Sequence, residues 1–167
     1  MDMKRMLRHH AIPRWARMRP FPRAALDAIE GAIRQSETRH RGEIVFAVEP
    51  ALDLPDLWRG RTAAQRAVAV FSHLRVWDTE ENNGVLIYLL LADRDVEIVA
   101  DRGVHRRVGA DGWEAICRRM EAAFREGRFE AGVVEGVRAV ADILAREYPD
   151  TGVTNPNELP NRPVVLG

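Results

Sequence analysis

Cysteine occurs once in the 167 residues, as Cys117, which excludes an internal disulfide and a CxxC metal or redox motif. Its spacing from Trp113, Ile116 and Met120 puts it near an apolar helical face, so a packed thiol is expected rather than a nucleophile. An excess of one charge is also absent. Lys+Arg 25 balance Asp+Glu 25, and no aromatic-basic stripe runs along any element, which argues against nucleic acid as a partner. No apolar run approaches the ~20 residues needed to span a bilayer, and the first residues lack the apolar centre of a secretory signal. There is no G-x-G-x-x-G turn, no P-loop, no EF-hand spacing and no internal repeat. These absences predict a soluble chain on the cytoplasmic side, free or peripheral to the membrane, with one core that buries roughly 70% of the unfolded surface.

The longest apolar run, Val85 to Leu91, is bounded by Asn82-Asn83-Gly84 and by Ala92-Asp93-Arg94-Asp95. Its length, unbroken apolar character and β-forming residues predict a central strand buried on both faces. Val96 to Ala100 follows through a turn short enough to force an antiparallel pair. Glu43 to Glu49 alternates around β-branched residues and predicts a first strand beside the Gly84 strand. Between these two, Thr62-Ala63-Ala64-Gln65 fits a capping box, with Val68, Phe71, Leu74 and Trp77 tracing the face of a helix turned to the sheet. Further helices are expected from Pro22 through the stripe Leu26, Ile29 and Ile33, with Gly42 as its stop, from Asp111 to Gly127, and from Glu130 to Tyr148-Pro149. The fold class is α/β, a three-layer α/β/α sandwich with a short mixed sheet flanked by helices. Residues 1–22 form a basic arm, 23–149 the domain and 150–167 an extended tail. Within the tail, Val164-Val165-Leu166 would dock along the domain or pair with a partner's strand.

Polar residues at the strand ends gather along one rim. Asn82 and Asn83 enter the central strand and Asp101 leaves its antiparallel neighbour, so pairing brings them to the same edge; turn chemistry alone is the alternative explanation of Asn-Gly and Asp-x-Gly. Glu37 continues the buried stripe of Ile29 and Ile33. It must be paired with Arg34, Arg39 or Arg41, bound to a cation, or wet at the rim. Asp78 to Asn83 is an oxygen-rich connection of the kind that holds Ca²⁺ or Mg²⁺, or a solvated acidic loop. After Asp101, a loop with Arg102, His105 and Arg106 offers bidentate contacts to an anion such as phosphate and, in His105, a proton donor; the alternative is arginines that neutralise nearby acids.

The combination of Gly42-Glu43-Ile44-Val45, the segment Thr79 to Tyr88 and Val99 to Gly103 resembles the TPM domain family, over about Ala24 to Tyr148. The resemblance implies a pocket for a divalent cation, Ca²⁺ or Mg²⁺, held by Glu37, Asp78, Asn83 and Asp101. It implies two classes of function: an accessory or ligand-binding protein assisting an envelope-associated complex, or a metal-dependent phosphatase acting on phosphate monoesters. No nucleophile-base pair is legible, which favours the accessory role. The arm carries Lys4, Arg5, Arg8, Arg14, Arg17, Arg19 and Arg23 against Asp2, with Met3, Met6, Leu7, Ile12 and Trp15 interspersed. Such a segment suits an anionic membrane surface, at about 1 kcal/mol per basic side chain, or a solvated arm resting on the domain.

Overall fold

The computed structural model of the protein describes residues 3–11, 13–152 and 156–167. Asp2 and Ile12 of the arm, the side chain of Arg14, and residues 153–155 of the tail lie outside the described residues. In chain order the elements are α1 (Met3–His10), α2 (Arg14–Arg17), α3 (Arg23–Ser36), β1 (Glu43–Glu49), α4 (Leu54–Trp58), α5 (Ala63–His73), β2 (Gly84–Leu90), β3 (Asp95–Ala100), α6 (Arg102–Val108), α7 (Ala110–Arg125), α8 (Phe129–Glu147) and β4 (Val164–Val165).

The sheet order is β3-β2-β1-β4. Strand β1 runs parallel to β2 and to β4, while β3 is antiparallel to β2. Strands β1 and β2 are buried at every position, because helices cover both faces. Ile44, Phe46, Val48, Val85, Ile87 and Leu89 pack with α3, α7 and α8, whereas Val45, Ala47, Leu86, Tyr88 and Leu90 pack with α5 and Leu159 of the tail. The period of two thus feeds two cores, one on each face of the sheet, instead of the single core expected from the sequence, and the result is the α/β/α sandwich with a mixed sheet.

The second core contains a buried charge. Arg66 donates from Nε and a terminal nitrogen to both oxygens of Glu49, at 2.8 and 2.9 Å. The Tyr88 hydroxyl donates to the same carboxylate at 2.6 Å. Glu49 is therefore satisfied by a bidentate arginine and a phenol, the arrangement that makes a buried carboxylate tolerable.

Several elements differ from the sequence expectation. Val68 and Trp77 are exposed; α5 instead buries Ala63, Ala67 and Val70, with Phe71 and Leu74 partly buried. That stripe keeps helical spacing from the Thr62 capping box, and its alanines let the helix sit close to the sheet. Helix α3 ends at Ser36 rather than at Gly42. A Cβ on Gly42 would meet Leu144 Cδ2 at 2.8 Å, so this glycine serves the contact with α8. Residues 102–108 are helical, not a loop, because Asp101 caps them. Val164-Val165 pairs with β1 of its own chain. At the other edge, the outward Val96 N–H donates to Glu121 Oε1 at 3.4 Å. Helix α7 thereby covers the open side of β3. Cys117 is buried, and burial pushes its thiol up to about 12; it is a packed thiol.

The core begins at Phe21, ahead of Leu26. The arm also touches the domain: His9 is buried, and its Nδ1 accepts the Leu52 N–H at 3.0 Å. Among the described residues no helix is long and apolar enough to cross a membrane.

Candidate functional site

The rim where β1 and β2 begin and β3 ends is built by close backbone approach. A Cβ on Gly84 would lie 2.0 Å from the Val76 carbonyl oxygen, so β2 can start against the turn after α5 only with glycine there. Asn82, at φ 51, turns the chain into that strand. On the far side of β2, a Cβ on Gly103 would lie 2.5 Å from Asn82 O. The Asp101 N–H donates to Gly84 O at 2.9 Å and the Glu43 N–H to Asn83 O at 3.4 Å. Glu43, Asn83-Gly84 and Asp101 therefore succeed one another across three adjacent strands.

Asn83 is buried. Its backbone N–H donates to the Thr79 hydroxyl at 3.1 Å, and its Nδ2 donates to Arg41 O at 2.8 Å. Its Oδ1 is buried without a partner. Asp101 is buried as well; one carboxylate oxygen accepts the Arg102 N–H as the cap of α6, and Oδ2 has no partner. The Asp101 carboxylate is thus both a helix cap and an unspent acceptor.

Glu37 reaches the rim from the end of α3, on the β4 side of β1. Its carboxylate accepts on Oε2 from the Asn161 Nδ2 at 2.6 Å, while Oε1 is buried and unpartnered. None of the arginines expected to neutralise it is within ion-pair distance; Arg41 pairs with Glu81, Arg34 with Glu30 and Arg39 with Asp142. Burial, then repulsion from Glu43, pushes the Glu37 carboxyl up to about 7. Glu43 is buried next to it and accepts the Glu158 and Leu159 N–H groups at 3.3 and 3.4 Å. Its carboxyl is also raised, first by burial.

The structure therefore brings Glu37, Asn83 and Asp101 to one rim, spread across the starts of β1 and β2 and the end of β3. Asp78 is exposed, and the described hydrogen bonds and ion pairs include none from its carboxylate to the other three. Among the described residues no group of three or more His, Cys, Asp or Glu side chains is placed to hold a metal ion. Any cation here would rely on mixed carboxylate and amide oxygens. Arg102 and Arg106 are exposed on α6, and Arg106 Nε donates to Arg102 O at 3.1 Å. His105 lines a recess of about 470 Å³ between β3 and α7, with Asp95, Glu97, Glu114 and Glu121.

Sequence reasoning overlooked four residues here. Glu43 read as an ordinary strand residue, although a carboxylate at the mouth of a fully buried strand was a local signal. His40 is buried, donates from Nδ1 to Gly42 O at 2.9 Å, and leaves Nε2 buried without a partner. That tautomer follows because only a protonated Nδ1 can donate to a carbonyl; burial lowers its pKa to about 4. Glu158 and Asn161 come from the tail, where no periodicity marked them. Glu158 also accepts the Glu80 N–H at 3.0 Å.

An α/β/α domain with a carboxylate and amide rim at the starts of its two parallel central strands is the class that fold and site define. The family model for the TPM domain matches residues 21–143, and the chain belongs to the TPM domain family. Among solved structures it is similar to the BA42 protein of the psychrophilic bacterium Bizionia argentinensis, determined by NMR. The two share 29% sequence identity at a TM-score of 0.75, over 87% of this chain and 94% of that one. No curated protein matches the chain.

Proposed function

We propose that this TPM domain is a ligand-binding module whose rim takes a divalent cation, Ca²⁺ or Mg²⁺, in an accessory rather than a catalytic role. The observation that carries this reading is a shortage of donors: Glu37 Oε1, Asn83 Oδ1 and Asp101 Oδ2 are all buried without a partner. Buried acceptors are ordinarily satisfied, and a hard cation satisfies oxygen acceptors without needing a proton. Asn161 Oδ1, also buried and unpartnered, is a further oxygen beside Glu37. Asp78 is left out of this ligand set because it is exposed.

The accessory reading rests on what surrounds the rim. Catalysis of phosphate-ester hydrolysis needs an activated water or nucleophile and a clamp on the phosphoryl group. Arg102 and Arg106 lie exposed on α6 and His105 lines the β3–α7 recess, and among the described contacts no hydrogen bond or ion pair joins their side chains to Glu37, Asn83 or Asp101, which supports the accessory reading. An envelope-associated assembly is the setting we infer for such a module.

The test is calorimetry of chelator-treated protein with Ca²⁺ and with Mg²⁺, alongside hydrolysis of a phosphate monoester by the same samples. Binding that weakens about tenfold, some 1.4 kcal/mol, in Asp101→Asn, with no turnover, supports the reading. Metal-dependent turnover lost in the same variant would establish the phosphatase alternative. No heat with either ion would end the cation proposal.

A further inference from the structure

Helix α1 is docked the wrong way round for a helix that ends at its own domain. Positions four apart share a helix face, and the face turned to the domain is the polar one. Arg5 Nε donates to Asp93 Oδ2 at 2.9 Å and a terminal nitrogen of Arg5 to Arg61 O at 2.9 Å. One turn on, His9 accepts the Leu52 N–H and lies 3.1 Å from Asp93 Oδ1. The opposite face presents Met3 and Leu7, 78% and 67% exposed, flanked by Lys4 and Arg8. Trp15 on α2 is 66% exposed, with the Arg19 guanidinium 5.0 Å over its ring.

The charge around this apolar face is predominantly basic. From Met3 to Leu26 the chain has no Asp or Glu. Beside α1 a recess of about 450 Å³ is lined by Arg8, Arg17, Pro20, Asp93, Arg94 and Phe129. Asp93 is engaged by Arg5, His9 and, at 3.4 Å, Arg8, so one carboxylate is shared among three basic side chains. Arg17 donates to Arg8 O at 2.7 Å, and Arg94 lies 5.9 Å over the Phe129 ring. Neither of those last contacts supplies a countercharge.

We propose that α1 and α2 form a peripheral docking surface for an anionic lipid membrane. Met3, Leu7 and Trp15 enter the interface, and the recess of Arg8, Arg17 and Arg94 receives a lipid phosphate. An apolar stripe with a cationic border is the chemistry of an interfacial segment, and exposed tryptophan suits the headgroup level. Charge complementarity selects lipid over a second copy of this chain, whose matching face would bring arginine against arginine. This surface adjoins the turn after β2, whereas the cation rim lies at the start of that strand, ~23 Å away at 3.3 Å per residue. The two proposals therefore stand or fall separately.

The test is flotation of the full chain with vesicles of phosphatidylcholine alone and of phosphatidylcholine mixed with phosphatidylglycerol. Capture is expected with the anionic vesicles only and should weaken with salt. It should fall about tenfold or more in Leu7→Asn/Trp15→Ser and in Arg8→Gln/Arg17→Gln, with melting of Leu7→Asn/Trp15→Ser unchanged because its replaced side chains are exposed. Absence of capture by anionic vesicles overturns the proposal, as does capture that Leu7→Asn/Trp15→Ser leaves intact. A dimer in sedimentation velocity that the same double variant abolishes would assign the face to a second copy instead.

Discussion

Asn161 Nδ2 donates to Glu37 Oε2 at 2.6 Å, tying the C-terminal tail to the end of α3 across the mouth of β1. The contact matters for pH because Glu37 titrates at about 7 instead of 4.5. A carboxyl whose folded pKa is raised contributes stability that is complete below its unfolded pKa and is lost as pH rises through the folded one. Its window is thus from about pH 4.5 to about 7. His40, lowered from 6.5 to about 4, acts with the opposite sign, losing stability as pH falls from about 6.5. We expect the two to offset each other in the parent chain and Glu37→Gln to uncouple them. Measured in chelator, the stability of Glu37→Gln relative to the parent should rise by about 1 to 2 kcal/mol across that window, after discounting for partial exposure. Parallel pH curves for the two proteins would show that Glu37 is ionised throughout.

The same residue sets how a cation competes with protons. A ligand carboxyl must be deprotonated to bind metal, so Ca²⁺ affinity should climb between about pH 6 and about pH 8 in the parent. In Glu37→Gln that climb should be absent. An affinity independent of pH in the parent would remove Glu37 from the ligand set while leaving Asn83 and Asp101 in it.

A different carboxylate supports the fold. Arg66→Met strands Glu49, buried against Tyr88 in the second core, and should cost roughly 3 kcal/mol or more in chemical denaturation, since it leaves a buried charge unpaired. Tyr88→Phe removes one hydrogen bond and leaves the bidentate arginine, so about 1 to 2 kcal/mol is expected. The reverse order would mean that the phenol, not the guanidinium, neutralises Glu49.

Much of the fold was legible because burial on two faces imposes an unmistakable pattern. Val85 to Leu91 has no polar position, and Glu43 to Glu49 and the Thr62 capping box fall where the strand and helix form. What misled was side-chain size. Val68 and Trp77 looked like core, yet Ala63 and Ala67 face the sheet, because a close helix-sheet contact selects small residues that composition does not flag. The site was half legible for a related reason. Asn83 and Asp101 lie at strand ends and follow from register, whereas Asn161 reaches Glu37 over a sequence separation of 124, which no local periodicity records. The Asn-Gly motif was read as turn chemistry or a site; its glycine answers to neither but to the Val76 carbonyl. Gly84→Ala would place a methyl 2.0 Å from that oxygen, and neither backbone can yield cheaply, so roughly 3 kcal/mol or more should be lost. A Gly84→Ala chain that melts like the parent would show that the turn after α5 is free to move.

The arm offers the last prediction, and its contacts pull in two directions. Residues before Pro20 are outside the segment that matches the family model, and they contribute only intermediate or exposed apolar side chains among those described. Phe21, by contrast, packs 5.9 Å from the Phe46 ring and 6.0 Å from that of Phe129. A chain beginning at Pro20 therefore keeps the aromatic cluster and should still unfold in one cooperative transition. It should not keep the full melting temperature. Removing α1 and its connection returns the Leu52 N–H and Asp93 to water and deletes the buried His9, a loss of about 1 to 2 kcal/mol, which for a domain of this size lowers the midpoint by several degrees. A chain beginning at Arg23 removes Phe21 too, and the cavity left beside Phe46 should cost about 3 kcal/mol more. If the chain beginning at Pro20 were already molten, the polar face of α1 would have to be part of the core's foundation; if the two truncations melted alike, Phe21 would not belong to it.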